Sequence, residues 1–281
     1  MNLFKTGVLL TALTLLFVGV GHLLGGTQGA MMAFVVALLM NLGAYWFSDK
    51  IVLAMYHAKP LSAPEAPELF EVVGELSRKA GMPMPRVYLV PHPSPNAFAT
   101  GRGPRHAVVA VTQGVLQLLS REELHGVLAH ELAHVRNRDV LVMTLAATIA
   151  GAIAMLASWA RWAVFLGNSR NRRGGGGLEL VALLLMAILA PLAATIIQLA
   201  ISRTREYSAD ASGARLLGTP SGLINALLKL EEYSRRMPLT GANPATAHLC
   251  IVNPLRGETF AALFSTHPPM ARRIERLKAL L

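Results

Sequence analysis

The residues that could carry out chemistry are concentrated in one short stretch, LAHELAHVRNRD at positions 128–139. Its two histidines, His130 and His134, are four residues apart, so on a helix both imidazoles lie on one face and can bind one metal ion. Glu131 lies about a hundred degrees further round the helix, where a carboxylate can take a proton from a metal-activated water. Zinc lowers the pKa of such a water to about 7. This spacing predicts a zinc-dependent hydrolase rather than a helix with two surface histidines.

A catalytic zinc site usually has three protein ligands and one open position. Glu206 in the stretch TREYSAD (204–210) is the best candidate for the third ligand, with His248 and His267 as alternatives. Asp210 follows four residues later on the same face of a predicted helix, where it could accept a hydrogen bond from a ligating imidazole. One of the two motifs ends just before a hydrophobic segment and the other begins just after one, which favours their meeting at one ion.

Four hydrophobic segments each approach or exceed the roughly 20 residues that a helix needs to cross a bilayer. None contains a basic residue, and Tyr45, Trp46 and Trp159 lie near their ends, as at a membrane interface. Two segments separate residue 134 from residue 206, so both motifs return to one side. A cleaved signal peptide is the alternative for the first segment, but no clear A-x-A site follows it. The segments are 7–26, 30–47, 140–160 and 178–201.

The composition is too apolar for an ordinary soluble protein, with 53% hydrophobic residues, 15% charged residues and a mean hydropathy of +0.45. The single cysteine, Cys250, excludes an intramolecular disulfide and a cysteine-rich zinc cage. The net charge of +10 comes from dispersed arginines and lysines that mostly flank apolar segments. A basic surface facing a membrane explains this charge, and we expect no nucleic-acid binding.

The remaining parts of the chain predict an α+β catalytic domain. Apolar residues recur at helical spacing within 61–85, and Gly81 ends that helix. Short β-rich runs at 86–91, 96–101 and 106–112 predict a small sheet, and Ser120 with Glu123 forms a capping box that begins the metal-binding helix. We therefore predict a mainly α integral membrane protein with a zincin-like domain. Its parts are a transmembrane hairpin (1–47), two catalytic segments (48–139 and 202–281) and a second hydrophobic hairpin (140–201).

Four motifs together resemble the HtpX family of bacterial membrane-bound zinc metalloproteases, which are related to the CAAX prenyl proteases. They are HELAH with the following VRNRD, EYSAD at 206–210, SPNAFATG at 94–101 and STHPPMARRIERL at 265–277. The resemblance covers nearly the whole chain. It implies that one zinc ion is bound by His130, His134 and Glu206, that Glu131 is the general base, and that Asp210 supports a ligand.

The resemblance also implies a substrate site and a biological role. Asn96, Ala97 and Phe98 match a strand that borders the cleft and pairs with an extended substrate, and His267 matches a histidine that stabilises the oxyanion. Arg272 and Arg273 both occupy the region of a family arginine. The implied role is ATP-independent cleavage of misfolded or damaged proteins of the bacterial inner membrane, as part of protein quality control and the stress response. The catalytic domain would face the cytoplasm, in contact with polypeptide substrates and the lipid bilayer.

Several alternatives remain open from the residues alone. NAFATG could be a plain surface hairpin, and His267 could be a structural histidine. A scaffold with structural zinc would need a closed four-ligand cage, and a metal transporter would need ionisable residues within its spans; His22 and Glu179 are poor candidates. Hydrolysis of a bond other than a peptide bond is compatible with the zinc chemistry. The arginine-rich loop 161–177 conflicts with the positive-inside rule, and no oligomeric state is predicted.

Overall fold

The computed structural model describes residues 2–149, 203–236, 249–251 and 268–280. The described helices are α1 (Asn2–Met55), α2 (Pro67–Lys79), α3 (Gln113–Leu118), α4 (Arg121–Arg136), α5 (Val140–Ile149), α6 (Arg203–Leu217), α7 (Ser221–Arg236) and α8 (Met270–Lys278). The described strands are β1 (Lys59–Pro60), β2 (Arg86–Val90), β3 (Ala97–Thr100) and β4 (Val108–Thr112). These elements give the mainly helical chain with a small sheet that the sequence predicts.

Helix α1 folds back on itself at Gly25 and Gly26, whose backbone angles are not helical. Gly26 has a φ of 58°, a left-handed conformation that glycine adopts without steric cost. The two limbs then run side by side, and the Asn41 side chain donates hydrogen bonds to the Leu10 carbonyl (3.1 Å) and to the Thr14 hydroxyl (2.8 Å). The turn of the predicted N-terminal hairpin therefore lies at these two glycines.

Within the described residues, one helix is long and apolar enough to cross a membrane, the limb Gly25–Met55. A shorter apolar helix, α5, forms the beginning of the third predicted segment. The remainder of that segment and all of the fourth, 178–201, lie outside the described residues. The described residues thus include the first two predicted segments and the beginning of the third.

The sheet has the strand order β1-β2-β4-β3, so β3 is an edge strand. Strands β2 and β4 are parallel, whereas β3 and β4 are antiparallel with Phe98 opposite Ala110. One face packs on α2 and α4, and the other packs on the end of α1 and on α5. Because both faces are covered, the strands are continuous apolar runs without polar alternation.

Helix α4 packs against α2, β3, α6 and α7 and begins with the predicted capping box. The Ser120 amide donates to the Glu123 carboxylate (2.7 Å), and the Glu123 amide donates to the Ser120 hydroxyl (3.4 Å). Two glycines let neighbouring helices approach its backbone. A side chain at Gly126 would collide with the start of α7, and one at Gly213 on α6 would press on the backbone at His130. This close contact positions α6 against the metal-binding motif.

Candidate metal centre

His130, His134 and Glu206 offer three buried ligand atoms that lie within 4.8 Å of one another. The two imidazole Nε2 atoms are 3.2 Å apart. The Glu206 carboxylate is 3.4 Å from His134 Nε2 and 3.7 Å from His130 Nε2. Helix α4 supplies the two histidines and α6 supplies the glutamate, so the metal-binding motifs on both sides of the second predicted hairpin come together.

These separations fit a metal ion. A tetrahedral zinc ion with nitrogen and oxygen ligands at about 2.1 Å holds its ligand atoms about 3.4 Å apart. The two Nε2 atoms are 3.2 Å apart, and different oxygens of the Glu206 carboxylate lie 3.4 and 3.7 Å from them, within a few tenths of an ångström of that value. Two nitrogen donors and one carboxylate oxygen also suit zinc and other divalent ions of intermediate softness. The described residues therefore fit a divalent metal ion.

The His130 imidazole is held from behind by a buried ion pair. Its Nδ1 atom lies 2.9 Å from the Asp210 carboxylate, which accepts two hydrogen bonds from Arg273 at 2.6 and 2.9 Å. Arg273 is fully buried. Burial alone would raise the pKa of Asp210, but the charge of Arg273 and the contact with His130 outweigh it and lower the pKa to about 2. Asp210 is therefore ionised and fixes the tautomer that leaves Nε2 of His130 free to bind a metal.

The His134 imidazole has a different carboxylate partner, Asp139, at 3.3 Å from its Nδ1 atom. Arg138 adopts a left-handed conformation with φ of 60° after the end of α4, and this turn brings Asp139 back towards the histidine. Burial by itself lowers the pKa of His134, but Asp139 and Glu206 outweigh it and raise the pKa to about 10. Arg205 lies near Asp139, with its Nε atom 3.8 Å from the carboxylate.

The charges around the two imidazoles do not cancel. Four carboxylates converge on this region, whereas two guanidinium groups face them. With both imidazoles neutral, as metal ligands must be, a buried excess of two negative charges remains among the described residues. This excess is costly unless a cation compensates it, and a divalent metal would supply the missing charge. The carboxylates belong to Glu131, Asp139, Glu206 and Asp210, and the guanidinium groups to Arg205 and Arg273.

Glu131 lies beside the ligands, and its side chain is held by the edge strand. The backbone amide of Ala99 donates a hydrogen bond to the Glu131 carboxylate at 2.9 Å. Burial raises the pKa of Glu131. A raised pKa makes this carboxylate a better proton acceptor than an exposed glutamate, and the hydrogen bond fixes its position relative to the strand.

Comparison with known proteins identifies the family. Residues 63–281 match the profile of peptidase family M48. A protein named Protease HtpX homolog from Pyrococcus abyssi is 56% identical over 98% of this chain and 95% of its own length. The chain belongs to peptidase family M48. It is a metalloprotease, and the resemblance to the HtpX family inferred from its motifs is confirmed.

Other relatives and a solved structure agree with this family. The HtpX homologs of Pyrococcus furiosus and Syntrophobacter fumaroxidans are each 55% identical to this M48 chain, over 98% and 99% of its length. They are covered over 95% and 99% of their own lengths. The crystal structure of Ste24p from S. mikatae matches with a TM-score of 0.54 and 18% identity, over 98% of this chain and 65% of that one. At this identity the structural likeness concerns the fold alone.

The edge strand of this M48 protease presents backbone groups next to Glu131. The Thr112 amide donates to the Asn96 carbonyl at 2.9 Å, so Asn96 faces β4. Hydrogen-bonded and non-hydrogen-bonded pairs alternate along an antiparallel ladder. The backbone groups of Phe98 therefore point towards β4 as well, whereas the backbone groups of Ala97 and Ala99 point towards the opposite edge. The bond from Ala99 to Glu131 agrees with this alternation. Among the described residues, no strand pairs with this edge.

The cleft at the metal centre is narrow and is bordered by a short piece of chain at 249–251. The Asn96 side chain holds this piece, because its amide nitrogen donates to the Leu249 carbonyl (3.4 Å) and its amide oxygen accepts from the Ile251 amide (3.0 Å). The cleft is lined by the ligands, Glu131, Phe98, Ala99, Met143 and residues 249–251. Asn96 thus bonds the protein's own backbone at the mouth of the cleft.

The structure brings together most of the residues that the sequence singles out. His130, Glu131, His134, Glu206 and Asp210 form one buried cluster. Arg273, and not its neighbour on α8, contacts Asp210, which resolves the open choice between positions 272 and 273. His267 and His248 lie outside the described residues.

Sequence reasoning missed three groups. The position of Asp139 was one sequence signal, because this residue follows the histidine motif where the helix must end. Its contact with His134, however, depends on the left-handed conformation of Arg138. Arg205 is adjacent to the predicted ligand Glu206, and Ala99 is adjacent to Phe98, but neither residue type indicates a contact with Asp139 or Glu131. All three contacts require the assembled fold.

Proposed function

We propose that this chain is a membrane-embedded, zinc-dependent endopeptidase that hydrolyses internal peptide bonds of misfolded or damaged membrane proteins. In this proposal it belongs to protein quality control and the stress response of a bacterial cell. It spans the inner membrane more than once, and the catalytic groups face the cytoplasm. The hydrophobic parts, 1–47 and 140–201, anchor a catalytic domain assembled from 48–139 and 202–281.

The observation that carries the proposal is the arrangement of His130, His134 and Glu206, whose ligand atoms are spaced as around a single ion. In the proposal these three residues hold zinc, and Asp210 and Asp139 orient the imidazoles. When bound, the metal supplies Lewis acidity that activates water and polarises the scissile carbonyl. Three protein ligands leave a coordination position open for this chemistry, as catalytic zinc sites require.

Glu131 is proposed as the general base. Its carboxylate takes the proton of the attacking water and passes it to the nitrogen of the leaving amine. Two features of the structure favour this role: burial raises its pKa, and the Ala99 amide holds one carboxylate oxygen at 2.9 Å. The bond also ties the base to the strand where the substrate would lie.

The substrate is proposed to bind as an added strand along β3. The outward backbone groups of Ala97 and the Ala99 carbonyl can pair with an extended peptide, while the Ala99 amide stays bonded to Glu131. Main-chain pairing requires little particular sequence. Asn96 and Phe98 would shape the site rather than pair with the peptide backbone, because Asn96 bonds residues 249–251 and Phe98 faces β4. This arrangement suits an enzyme that must accept many unfolded segments.

His267 is proposed to stabilise the oxyanion that develops on the scissile carbonyl. The proposal rests on the match of STHPP to the family motif, since this histidine precedes two prolines that restrict its backbone. Arg273 would act differently, through Asp210, because it is fully buried and bonds that carboxylate.

Membrane insertion is supported by the exposed surface of α1. In the limb Gly25–Met55, only 11% of the most apolar window is buried inside the protein, unlike the core helix of a soluble protein. Large apolar side chains stand exposed there, including Met31, Met32 and Leu39 at 67%, 68% and 64%. Such a surface matches contact with lipid acyl chains.

The test is proteolysis by the purified full chain in detergent and in lipid vesicles. An unfolded soluble protein and a misfolded membrane protein serve as separate substrates. We expect cleavage of both, loss of cleavage with a chelator and recovery with zinc. Recovery with another divalent ion but not with zinc would overturn the assignment of the metal. Failure to cut the membrane protein, with the soluble substrate cut, would overturn the substrate class.

A matched pair of glutamate variants distinguishes cleavage by this chain from cleavage by a contaminating protease. Glu131→Gln should slow cleavage by about 10²- to 10⁴-fold, the usual effect of removing a general base. Glu122→Gln changes an exposed glutamate of the same helix and should leave the rate unchanged. Equal rates in both variants would contradict the proposed mechanism.

A further inference from the structure

A second cavity lies away from the metal centre, where the apolar limb of α1 meets the sheet. Its volume is about 540 Å³, and it is lined by Trp46, Phe47, Asp49 and Lys50 of α1, by Arg86 at the start of β2 and by the loop between β3 and β4. That loop contributes Arg102, Arg105 and His106. None of these residues takes part in the proposed peptide hydrolysis.

The cavity is strongly basic. Lys50, Arg86, Arg102 and Arg105 line it, and Asp49 is the one carboxylate among its lining residues. Asp49 is already paired with Arg86, at 2.8 Å. Lys50, Arg102 and Arg105 face the cavity with no second carboxylate among its lining residues, so the cavity is suited to an anion.

Two aromatic side chains complete the cavity. The Arg102 guanidinium lies 4.4 Å from the centre of the Trp46 ring, and the Lys50 ammonium lies 5.3 Å from the centre of the Phe47 ring. Both rings are about half exposed, at 54% and 52%. The cavity therefore has an apolar wall and a cationic wall, which fits a ligand that is itself half apolar and half anionic.

The position of the cavity along α1 matches the surface of a bilayer. Trp46 and Phe47 end the apolar segment 30–47, where aromatic side chains sit at the boundary of the hydrocarbon. Lys50 follows Trp46 by four residues, about 6 Å along a helix, which places its charge at the level of the lipid headgroups. Arg102 reaches the same level, because it stacks on Trp46.

The loop that carries the arginines has a defined shape. Gly101 and Gly103 have φ values of 127° and 148°, and a side chain at Gly101 would collide with the His106 carbonyl. The Gly101 amide donates to the Thr144 hydroxyl on α5 at 3.3 Å. The loop is thus fixed to the beginning of the third apolar segment, and its arginines are presented at a set place.

We propose that this cavity binds the anionic headgroup of a membrane phospholipid, with the phosphate between Arg102, Arg105 and Lys50 and the acyl chains along Trp46 and Phe47. The inference rests on the proposed membrane location of the protein. It adds a lipid site to the proposed protease. Because the loop continues directly from β3, the lipid would also fix the end of the strand proposed to bind substrate.

The experiment measures lipid binding to the full chain, purified in detergent and freed of native lipid. Native mass spectrometry counts the molecules retained from an equimolar mixture of phosphatidylglycerol and phosphatidylcholine with identical acyl chains. We expect phosphatidylglycerol to be retained preferentially. Equal retention of the two lipids by the wild-type chain would overturn the proposal.

Paired variants locate the site. Replacing Arg102 and Arg105 by glutamine should lower the preference for phosphatidylglycerol by about tenfold to thirtyfold. The reason is that each basic side chain near an anionic lipid surface contributes a similar amount to the binding free energy. The matched control replaces Arg235 and Arg236, exposed residues of α7, which does not line the cavity. A control that loses as much preference as the cavity variant would overturn the proposal, because net charge alone would then explain the binding. A single Trp46→Leu substitution provides a third variant and should weaken retention of both lipids.

Two further arms separate the possible sources of error. Millimolar inorganic phosphate should fail to displace phosphatidylglycerol, and complete displacement would show a phosphate site rather than a lipid site. Proteolysis is measured on the same preparations with the Glu131→Gln chain as reference. Zinc-dependent cleavage without lipid preference would overturn only the lipid site. Lipid preference with cleavage that does not depend on Glu131 would overturn the proposed catalytic mechanism and leave the lipid site standing.

Discussion

The two histidines that face the candidate metal position are supported in different ways. His130 is backed by Asp210, which a fully buried arginine holds through two short hydrogen bonds. His134 is backed by Asp139, whose contact is longer and whose neighbouring arginine stands 3.8 Å away. The first support lies inside the packed domain, between α6 and α8. The second lies where α4 ends and the apolar helix α5 begins.

This difference indicates two kinds of dependence in one metal site. The support of His130 is part of the folded core, so disturbing it should cost both metal affinity and stability. The support of His134 sits at the start of the apolar helix α5, where the Met143 amide donates to the Asp139 carbonyl. Disturbing it should mainly affect the metal. The following predictions test this comparison, beginning with the carboxylate that faces both imidazoles.

Glu206→Ala should have the largest effect, because Glu206 is the one ligand that both imidazoles share. We expect the purified variant to lose nearly all bound metal. Metal content by mass spectrometry, at equal protein concentration, checks this. Retention of a full equivalent of metal would mean that the third ligand lies elsewhere.

Asp210→Asn should weaken metal binding by about 10- to 100-fold, the usual cost of removing a carboxylate behind a ligating histidine. It should also destabilise the fold by about 3–5 kcal/mol, because buried Arg273 loses its ionic partner. The lowered pKa of Asp210, about 2, means that its stabilisation is complete above about pH 4 and is lost as the pH falls towards 2. Denaturant unfolding of the metal-free chain at several pH values measures the loss of stability and its acid dependence. The variant should lack this acid dependence.

Asp139→Asn should weaken metal binding by a similar factor, about 10- to 100-fold, but with a smaller loss of stability. The reason is that Arg205 is less deeply buried than Arg273 and lies farther from its carboxylate. Competition with a chromophoric chelator gives the affinity, and unfolding gives the stability. Equal losses of stability in the two aspartate variants would remove the distinction drawn between the two supports.

Proton release on metal binding should give the smallest signal. The pKa of His134 in the metal-free site is raised to about 10, so the imidazole is protonated at pH 8, whereas a ligating histidine must be neutral. The raised pKa stabilises the metal-free fold below about pH 6.5, and this contribution is lost as the pH rises through about 10. Calorimetric titration with zinc at pH 8, in buffers of different ionisation enthalpy, should report about one proton released. Binding without proton release would contradict the raised pKa.

Much of this architecture follows from local patterns in the sequence. The spacing of His130 and His134 determines a shared helix face, and Ser120 with Glu123 determines where that helix begins; the structure contains both features. The short apolar runs predicted the strands, although the two-residue strand β1 gave no signal.

The outer contacts of the site could not be predicted from local patterns. Asp139 reaches His134 only because Arg138 takes a left-handed conformation that its residue type does not favour. Ala99 reaches Glu131 from an edge strand, and Arg273 reaches Asp210 from a helix 63 residues further along the chain. Such contacts depend on the packing of distant elements.

The most direct test of the central claim compares Glu131→Gln with Glu206→Gln in one experiment, measuring metal content and peptide cleavage on the same samples. Both substitutions remove a negative charge and preserve the shape of the side chain. The account predicts that Glu131→Gln keeps its metal and loses cleavage, whereas Glu206→Gln loses both. A Glu131→Gln chain without metal, beside a Glu206→Gln chain that retains metal and cuts peptides, would contradict the assignment of the two glutamates.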